Sequence, residues 1–311
     1  MEQNSSIHYG ETFIDRCAEL RRDHNHLMDQ IHSEYARIIP VHQDQSLIQS
    51  NAKGVALEFL ETSEEIVKNG VHHVFLGKSN DQLIYTLDLS DIETGLLTKQ
   101  FPAAEFSDLR QVGALLNPLE ASIANYSRGI LYWHKTHQFC HRCGCRTVST
   151  EGGHSRTCTD RHCAHITYPR ISPAVIVLVE HRPKGGSPPK CLLGKGHRSW
   201  GNIRSTLAGF VEVGETLEEA VRREMKEEAG IEVHNIRYMG SQPWPFPSSL
   251  MVGFYAETDE TELHLDNEEI LEADWYTVEE MKKQVASGEL VLSREDSIAR
   301  YLIEDWISRN P

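Results

Sequence analysis

Residues 209–231 have the sequence GFVEVGETLEEAVRREMKEEAGI, which is the strongest indication of the fold of the carboxyl-terminal half. It passes from a short apolar segment through a glycine turn into a charged helix. Thr216 is a suitable N-cap, followed by acidic residues in the first turn, where the helix dipole favours them. Gly230 stands where a helix end needs a left-handed backbone. The pattern predicts a strand, a turn, a helix and a glycine stop.

The helix carries two carboxylates on the face that should be buried. At about 100° per residue, the apolar arc is marked by Ala220, Val221 and Met225. Glu224 and Glu228 lie inside that arc, each within about 20° of Leu217. Two like charges on an inward face are unfavourable unless a cation compensates them, and carboxylate oxygens favour Mg²⁺ or Mn²⁺. We therefore expect a divalent metal ion beside this helix.

The other charged positions of the helix have simpler explanations. A solvated face with i,i+4 pairs accounts for Glu218, Glu219 and Arg222. Glu227 lies at the border of the apolar arc and can reach the same ions. Arg223 is placed to orient the carboxylates from the other edge.

Outward from this helix, the sequence predicts a buried sheet and a stiff aromatic loop. Residues 174–179 form an unbroken apolar run typical of a strand buried on both faces, and a second strand is expected near 191–193. In residues 241–249 prolines restrict the backbone, while Trp244 and Phe246 offer flat faces on which a base can stack. The alternative is a loop packed into a core or a dimer contact.

Upstream, five of the seven cysteines fall between residues 140 and 163, a density typical of metal binding in a reducing compartment. Two pairs can hold one tetrahedral zinc ion, namely Cys140, Cys143, Cys158 and Cys163. Such a closed site should be structural. Spare donors leave the exact set open: Cys145, His154, His162 and His165. The alternatives are unmetallated thiols or a ribbon that binds nucleic acid, which the scattered basic residues favour less.

The amino-terminal third is predicted to be a mixed α/β region. Apolar spacing over residues 11 to about 37 predicts an amphipathic helix. Short strands are expected at 71–76 and 83–87, separated by turn residues. A further helix over 119–137 leads into the cysteines.

The whole-chain composition restricts the function. The length of 311 residues predicts two or three domains. The composition, 39% hydrophobic and 25% charged, is typical of a globular protein. A net charge of -15 disfavours extended nucleic-acid binding. The longest apolar run, 174–179, is too short to cross a membrane. The polar stretch Met1–Ser6 lacks a secretory signal, and we expect a cytoplasmic protein without membrane association.

Residues 209–231 match the Nudix box, Gly-x5-Glu-x7-Arg-Glu-(apolar)-x-Glu-Glu-x-Gly-(apolar), at every specified position, and the chain resembles the Nudix hydrolases. Residues 241–249 resemble the tag of the NADH pyrophosphatase branch of that family. Further matches to the branch are the preceding zinc ribbon, Tyr168-Pro169, Glu269 to Ala273 followed by Trp275, and Ser297 to Arg300. The departures are the Cys-x4-Cys spacing of the second cysteine pair and the longer amino-terminal region, to which the resemblance assigns no role.

The resemblance implies a fold and a domain organisation. We expect an α+β protein in which a Nudix α/β/α sandwich with a mixed sheet occupies residues 169–311. A zinc ribbon at 137–168 would precede it, and a mixed α/β amino-terminal domain would occupy 1–136. Members of the family usually form homodimers, so we expect a homodimer.

The resemblance also implies roles for individual residues. The Mg²⁺ or Mn²⁺ ligands would be Ala208 (through its carbonyl), Glu224, Glu228 and Glu269. The catalytic residues would be Glu228, Glu227, Glu224 and Arg223, with Glu228 the first choice to accept the proton of the attacking water. The dinucleotide would be surrounded by Arg110, Glu151, Tyr168, Phe210, Gln242, Pro243, Trp244, Pro245, Phe246, Pro247, Ser248, Ser249 and Ala299.

The implied activity is metal-dependent hydrolysis of the diphosphate bond of NAD(H), which gives nicotinamide mononucleotide and AMP. Because the same bond occurs where NAD caps an RNA 5′ end, removal of NAD caps is a natural extension. Two alternatives remain. One is a zinc-ribbon nucleic-acid binding protein with a vestigial hydrolase domain. The other is a Nudix hydrolase of another nucleoside diphosphate derivative.

Overall fold

The structure is a computed structural model and describes residues 7–10, 14–52, 54–60, 67–68, 70–93, 95, 99, 101–197, 201–266 and 268–311. The chain divides into two compact units. The carboxyl-terminal unit comprises residues 1–10, 172–244 and 249–311, and the amino-terminal unit comprises 11–171 and 245–248. The separation of a zinc ribbon from the rest of the amino-terminal unit stays a prediction.

The carboxyl-terminal unit is built on a mixed sheet of order β14-β15-β10-β11-β16, with β13 paired to β10. Strands β10 and β15 are parallel, and the other pairs in this sheet are antiparallel. The strands are β10 (Ser172–His181), β11 (Lys190–Gly196), β13 (Leu207–Phe210), β14 (His234–Trp244), β15 (Ser249–Thr258) and β16 (Ile270–Tyr276). A short parallel pair joins β12 (Ile203–Arg204) to β17 (Val291–Leu292).

Helices cover both faces of this sheet because alternate residues of β10 point to opposite sides. Val175 and Val177 pack in a cluster with the buried residues of helix α4 (Leu217–Ala229). Ile176 packs on the other face with α5 (Val278–Ser287) and α6 (Ile298–Arg309). This is the expected α/β/α sandwich, and the fold class is confirmed.

The amino-terminal unit contains a second mixed sheet of order β3-β2-β1-β5-β4, with β6 paired to β2. Strands β1 and β5 are parallel. The strands are β1 (Ala36–His42), β2 (Gln45–Asn51), β3 (Gly54–Leu57), β4 (His73–Ser79), β5 (Gln82–Asp88) and β6 (Ala104–Ser107). The described part of this unit includes the helices α1 (His24–Asp29), α2 (Leu109–Val112) and α3 (Pro118–Thr136), of which α3 packs against β1, β4 and β5.

A three-stranded antiparallel ribbon completes this unit, in the order β7 (Thr147–Thr150), β8 (Ser155–Cys158) and β9 (Ile166–Thr167). A buried arginine ties it to α3. Arg156 Nε donates to Thr147 Oγ1 at 2.7 Å, and Arg156 Nη1 donates to His134 Nδ1 at 2.8 Å. Burial lowers the pKa of His134 to about 3, so its neutral ring can accept that hydrogen bond.

Most predicted elements are confirmed, but the long helix over residues 11–37 is wrong. Residues 11–13 lie outside the described part of the chain, as does Met1–Ser6. Beyond them the backbone of Asp15 pairs with Lys78 at 2.7 and 2.9 Å, and Cys17 has a φ of 40°. Asp23 then caps the short α1. Pairing with a distant strand therefore overrides the local helical spacing.

No helix in the described residues has both the length and the apolar content needed to cross a membrane.

Candidate active site

Helix α4 begins and ends as its sequence predicts. Thr216 Oγ1 accepts from the Glu219 backbone N–H at 3.2 Å, and Glu219 Oε2 accepts from the Thr216 N–H at 2.8 Å, a complete capping box. Gly230 closes the helix with a φ of 74°. Packing of the apolar face of this helix on the sheet buries Glu224 and Glu228 as well, whose exposed fractions are 7% and 4%. The two inward carboxylates are confirmed.

The carboxylate of Glu224 lies directly against the backbone of β13. A Cβ atom on Gly209 would stand 1.8 Å from the Glu224 carboxyl carbon, far inside van der Waals contact. The first glycine of the 209–231 stretch is therefore required by close approach, because any side chain there would displace Glu224.

Arg223 holds the acidic side chains of this region in place. Its guanidinium donates to both carboxylate oxygens of Glu215 at 2.6 and 3.0 Å. Nη1 donates to Glu224 Oε1 and to Glu227 Oε2, each at 2.9 Å, and Nη2 donates to the Phe210 carbonyl at 2.9 Å. These bonds to Arg223 lower the pKa of Glu215 to about 2. Arg223 thus links the strand end, the turn and the helix.

Glu228 is buried beside other acidic side chains. Burial, reinforced by Glu224, Glu269 and Asp266, raises its pKa to about 8, and a backbone N–H of Ala208 opposes the rise. Burial also raises the pKa of Glu224. Glu228 Oε2 is buried and has no hydrogen-bond partner among the described residues. An orphaned oxygen beside a second buried carboxylate fits a divalent ion.

Glu269 precedes β16 on a loop that Asp266 organises. The Asp266 carboxylate accepts from the backbone N–H groups of Glu269 and Ile270, each at 3.2 Å to Oδ1. Glu269 is exposed, in contrast to Glu224 and Glu228. Ala208 lies on β13 opposite Ile176. Among the described residues, these carboxylates do not converge as closely as the four thiols of the cysteine cluster.

Gln242 is placed differently from what its predicted contact with a dinucleotide requires. Its side chain is fully buried. Nε2 donates to the carbonyls of His8 and Asp296, both at 2.7 Å, and Oε1 accepts from the N–H of Ile298 at 2.8 Å. With both ends of the amide satisfied, Gln242 fixes the start of α6, and Ala299 follows there, also buried.

Two aromatic residues predicted near a ligand lie in the carboxyl-terminal unit. Phe210 ends β13 with 60% of its surface exposed. Trp244 ends β14 opposite Ser249 of β15, and its ring is met edge-on by Tyr9 at 6.3 Å between centroids. Tyr9 is itself anchored, because its hydroxyl donates to Asp296 Oδ2 at 2.7 Å. Pro243 directly precedes Trp244 on β14.

The middle of the aromatic loop, Pro245–Ser248, belongs to the amino-terminal unit. The Phe246 ring lies under the guanidinium carbons of Arg110 and Arg128, at 4.5 and 4.9 Å from the centroid. The bond between Phe246 and Pro247 is cis. Tyr168 and Glu151 of the same unit are both exposed.

The four predicted zinc ligands converge on one point. The Sγ atoms of Cys140, Cys143, Cys158 and Cys163 all lie within 4.8 Å of one another. Two pairs, Cys140 with Cys163 and Cys143 with Cys158, are 3.8 and 3.4 Å apart, close to the edge of about 3.8 Å expected for a Zn–S₄ tetrahedron. Burial raises the pKa of Cys158 to about 12, so a cation is needed to keep that sulfur a thiolate. The cluster can hold one metal ion.

The unusual Cys-x4-Cys spacing has a local explanation. The first turn closes with a hydrogen bond from the Gly144 N–H to the Cys140 carbonyl, at 2.8 Å. The second closes in the same way from Ala164 to Asp160, also at 2.8 Å. Asp160 therefore takes the turn position of the first cysteine, and Cys158 supplies its thiol from the end of β8.

Four residues that hold the predicted site residues in place were not predicted from the sequence. Glu215 stood in the quoted motif, and its spacing from Arg223 was the available signal. The other three, Asp266, Arg128 and Tyr9, act through partners distant in the chain or through loop backbone, and no local pattern marks them.

Two family models match this chain. Residues 170–295 match the NUDIX domain, and residues 35–133 match the NADH pyrophosphatase-like rudimentary NUDIX domain. The chain therefore belongs to the Nudix hydrolases, as its sandwich and acidic helix indicate. Within that family, the second match and the relatives described next place it in the NADH pyrophosphatase branch.

Three relatives illustrate the match. The NAD-capped RNA hydrolase NUDT12 of Homo sapiens is 40% identical over 205 residues, covering 63% of this chain and 44% of the relative. Nudix hydrolase 19, chloroplastic, of Arabidopsis thaliana is 39% identical over 203 residues, 64% of this chain and 44% of the relative. The NAD-capped RNA hydrolase NudC of Haemophilus influenzae is 42% identical over 186 residues, covering 57% of this chain and 67% of the relative. The chain thus spans less than half the length of the first two.

Proposed function

We propose that this chain hydrolyses the diphosphate bond of NAD(H), giving nicotinamide mononucleotide and AMP. The observation that carries the proposal is the buried Glu228, whose unpartnered Oε2 lies beside a second buried carboxylate. Family membership and the activities for which the relatives are named support the substrate class. The exposed face of Phe210 at the end of β13 offers a stacking surface for a base.

The residues that would hold Mg²⁺ or Mn²⁺ are Ala208 (through its carbonyl), Glu224, Glu228 and Glu269. Such ions neutralise phosphate oxygens and lower the pKa of bound water. The chain's own contribution is positional. Arg223 keeps Glu224 and Glu227 oriented, and Gly209 leaves room for the Glu224 carboxylate. Glu228 would accept the proton of the attacking water.

Removal of NAD caps from RNA 5′ ends is proposed as a second use of the same site. The relatives named for this activity support it. The net charge of -15 makes an extended RNA groove unfavourable. We therefore expect contacts with the cap and the first nucleotides, and a parallel kinetic comparison of free NADH and NAD-capped RNA tests this use.

The deciding experiment is NADH hydrolysis with Mg²⁺ or Mn²⁺ in the wild type, in Glu228→Gln and in Glu218→Gln. Glu218 lies exposed on the same helix and is the matched control. We expect the first variant to lose at least about a hundredfold in kcat and the control to be unchanged. Full activity in Glu228→Gln contradicts its role. A wild type that is inactive on NADH but hydrolyses another nucleoside diphosphate derivative supports a Nudix hydrolase of that derivative. A wild type that hydrolyses none of them supports the nucleic-acid binding protein with a vestigial hydrolase domain.

We also propose that the four cysteines hold a structural Zn²⁺, that the protein is cytoplasmic and that it forms a homodimer. The convergence of the thiols supports zinc. None of the seven cysteines forms a disulfide bond, which suits a reducing compartment. The dimer rests on the family resemblance, and sedimentation analysis of the full chain tests it.

A further inference from the structure

The ribbon carries a fifth cysteine beside the proposed zinc site. The Sγ atoms of Cys143 and Cys145 and a carboxylate oxygen of Asp160 lie within 4.8 Å of one another. Cys143 also belongs to the four converging thiols, whereas Cys145 does not. Because a tetrahedral ion with four thiolates has no further coordination position, Cys145 is a thiol beside the metal site without a part in it.

The four proposed zinc ligands differ in their exposure. Cys140 and Cys158 are buried and Cys163 is half-buried, whereas Cys143 is exposed. Cys145 is half-buried. Oxidation of a cysteine depends on its thiolate character and on its access to solvent, so a small oxidant should reach Cys143 first.

The backbone between the two thiols allows their sulfurs to approach each other. Gly144 separates them with a φ of 77°, and a Cβ on this glycine would meet no atom within 4 Å. A disulfide requires a distance of about 2.05 Å between the sulfurs, so they must close by at most about 3 Å. Side-chain rotation on an open glycine turn can supply this movement.

We propose that Cys145 is the resolving thiol of a peroxide-sensitive switch in the ribbon. The thiolate of Cys143 attacks hydrogen peroxide, the O–O bond breaks, and Cys143 becomes a sulfenic acid while the released hydroxide takes a proton from solvent. The Cys145 sulfur then attacks the sulfenic sulfur, so that the S–S bond forms and the hydroxyl group leaves as water with the Cys145 proton. The two sulfurs lose two electrons, and the peroxide is reduced to two water molecules.

The disulfide would remove one ligand from the zinc site, on whose existence this proposal rests. Since the thiolate is the form that binds the metal, three ligands would remain and the ion should be released. Cys158 is a competing partner, because its Sγ lies 3.4 Å from that of Cys143. However, Cys158 is buried at the end of β8 and would be held by the same ion, whereas Cys145 is not.

The test treats the zinc-loaded full chain with hydrogen peroxide and compares the wild type with Cys145→Ser. In the wild type we expect a Cys143–Cys145 disulfide in the peptide map and release of about one zinc per chain to a chromophoric chelator. A dithiol with added Zn²⁺ should reverse both changes. In Cys145→Ser, dimedone, which labels sulfenic acids, should mark Cys143 at least about tenfold more than in the wild type.

Two further variants keep the test decisive. Cys17→Ser alters a buried cysteine outside the ribbon and should behave as the wild type. Cys145→Ala replaces the serine variant if that variant fails to fold, because both retain the backbone bond from the Cys140 N–H to the residue 145 carbonyl, which is 2.7 Å long.

Three results overturn the proposal. The first is a Cys143–Cys158 disulfide as the main product, and the second is equal dimedone labelling of the wild type and Cys145→Ser. The third is two zinc ions per chain in the wild type and one in Cys145→Ser, which would make Cys145 a metal ligand. A wild type that contains no zinc after expression with added Zn²⁺ contradicts the zinc site instead, and the disulfide map still tests the pairing.

Discussion

Gly209 is the smallest residue of the candidate site, and its position has no room for a side chain. Its Cα faces the Glu224 carboxylate, where a methyl group has no space. Because the obstacle is a buried carboxylate bonded to Arg223, the neighbour has little room to retreat. At Gly209 the requirement for glycine is a matter of distance, whereas at Gly230 it comes both from the φ of 74° and from His264, whose Cβ would lie 2.6 Å from an added Cβ.

We expect Gly209→Ala to reduce kcat at least about a hundredfold by displacing Glu224, and to destabilise the protein by about 1–3 kcal/mol through overpacking. Glu224→Ala removes the clash, so adding Gly209→Ala to that variant should cost little further stability. Chemical denaturation of the two single variants and the double variant measures this. Equal destabilisation by Gly209→Ala in both backgrounds would falsify the packing explanation.

Glu228 should make stability depend on pH when no Mg²⁺ or Mn²⁺ is added. Its pKa is raised from 4.5 to about 8 in the folded protein, so between these values the folded state keeps a proton that the unfolded state releases. The free energy of unfolding should therefore fall as pH rises across this window, by up to about 1.4 kcal/mol per pH unit.

Denaturation curves at pH 5, 6, 7 and 8 for the wild type and Glu228→Gln test this sign. The glutamine variant has no proton to lose and should show a flatter dependence. Parallel curves for the two proteins would contradict the raised pKa. Added Mg²⁺ should flatten the wild-type curve too, because a bound cation stabilises the carboxylate.

At the scale of elements, the junction of β14 with α6 depends on one amide. Gln242 Nε2 donates to two carbonyls, so an ionised glutamate at this position would place negative oxygen against both. We expect Gln242→Glu to destabilise the protein by about 2–4 kcal/mol, more than Gln242→Ala does. The exposed Gln111→Glu is the control.

Thermal unfolding of the three glutamine variants at neutral pH provides the measurement. Gln111→Glu should leave Tm within a degree or two of the wild type, at about the scale of an ordinary surface substitution. If Gln242→Glu proved as stable as Gln242→Ala, the donor role of the amide would be wrong.

Elements with a strong local signal were predictable from the sequence. Helix α4 carries its caps, its apolar period and its glycine stop within residues 209–231, and β10 is a continuous apolar run. The region before α1 was not, because the pairing of Asp15 with Lys78 arises from a partner far along the chain. The same holds for the site: Glu224 and Glu228 follow from periodicity, whereas the position of Gln242 depends on residues 8, 296 and 298.

For the whole molecule, the proposed zinc ion should support the fold and take no direct part in chemistry. Its ligands are supplied by two turns and a strand end, so losing one should loosen the ribbon. We expect Cys163→Ser to lose the metal and lower Tm by several degrees, at the low end of the cost of losing a structural site.

Cys145→Ser is the matched variant, because this half-exposed thiol lies near Cys143 but outside the set of four. It should retain one zinc per chain by elemental analysis. If Cys145→Ser lost the zinc and Cys163→Ser retained it, Cys145 would be the zinc ligand in place of Cys163. Residual activity of Cys163→Ser at low temperature would distinguish a structural ion from a catalytic one.

The division of residues 241–249 between the two units has a consequence for how such proteins are modified by recombination. A fragment starting at Ser172 would inherit every acidic residue of the Nudix motif, yet Phe246 would have lost both arginines that flank it. Fusing that fragment to an unrelated partner would keep the carboxylates proposed to bind the metal and the exposed Phe210, but would leave the Phe246 ring without its two arginine neighbours.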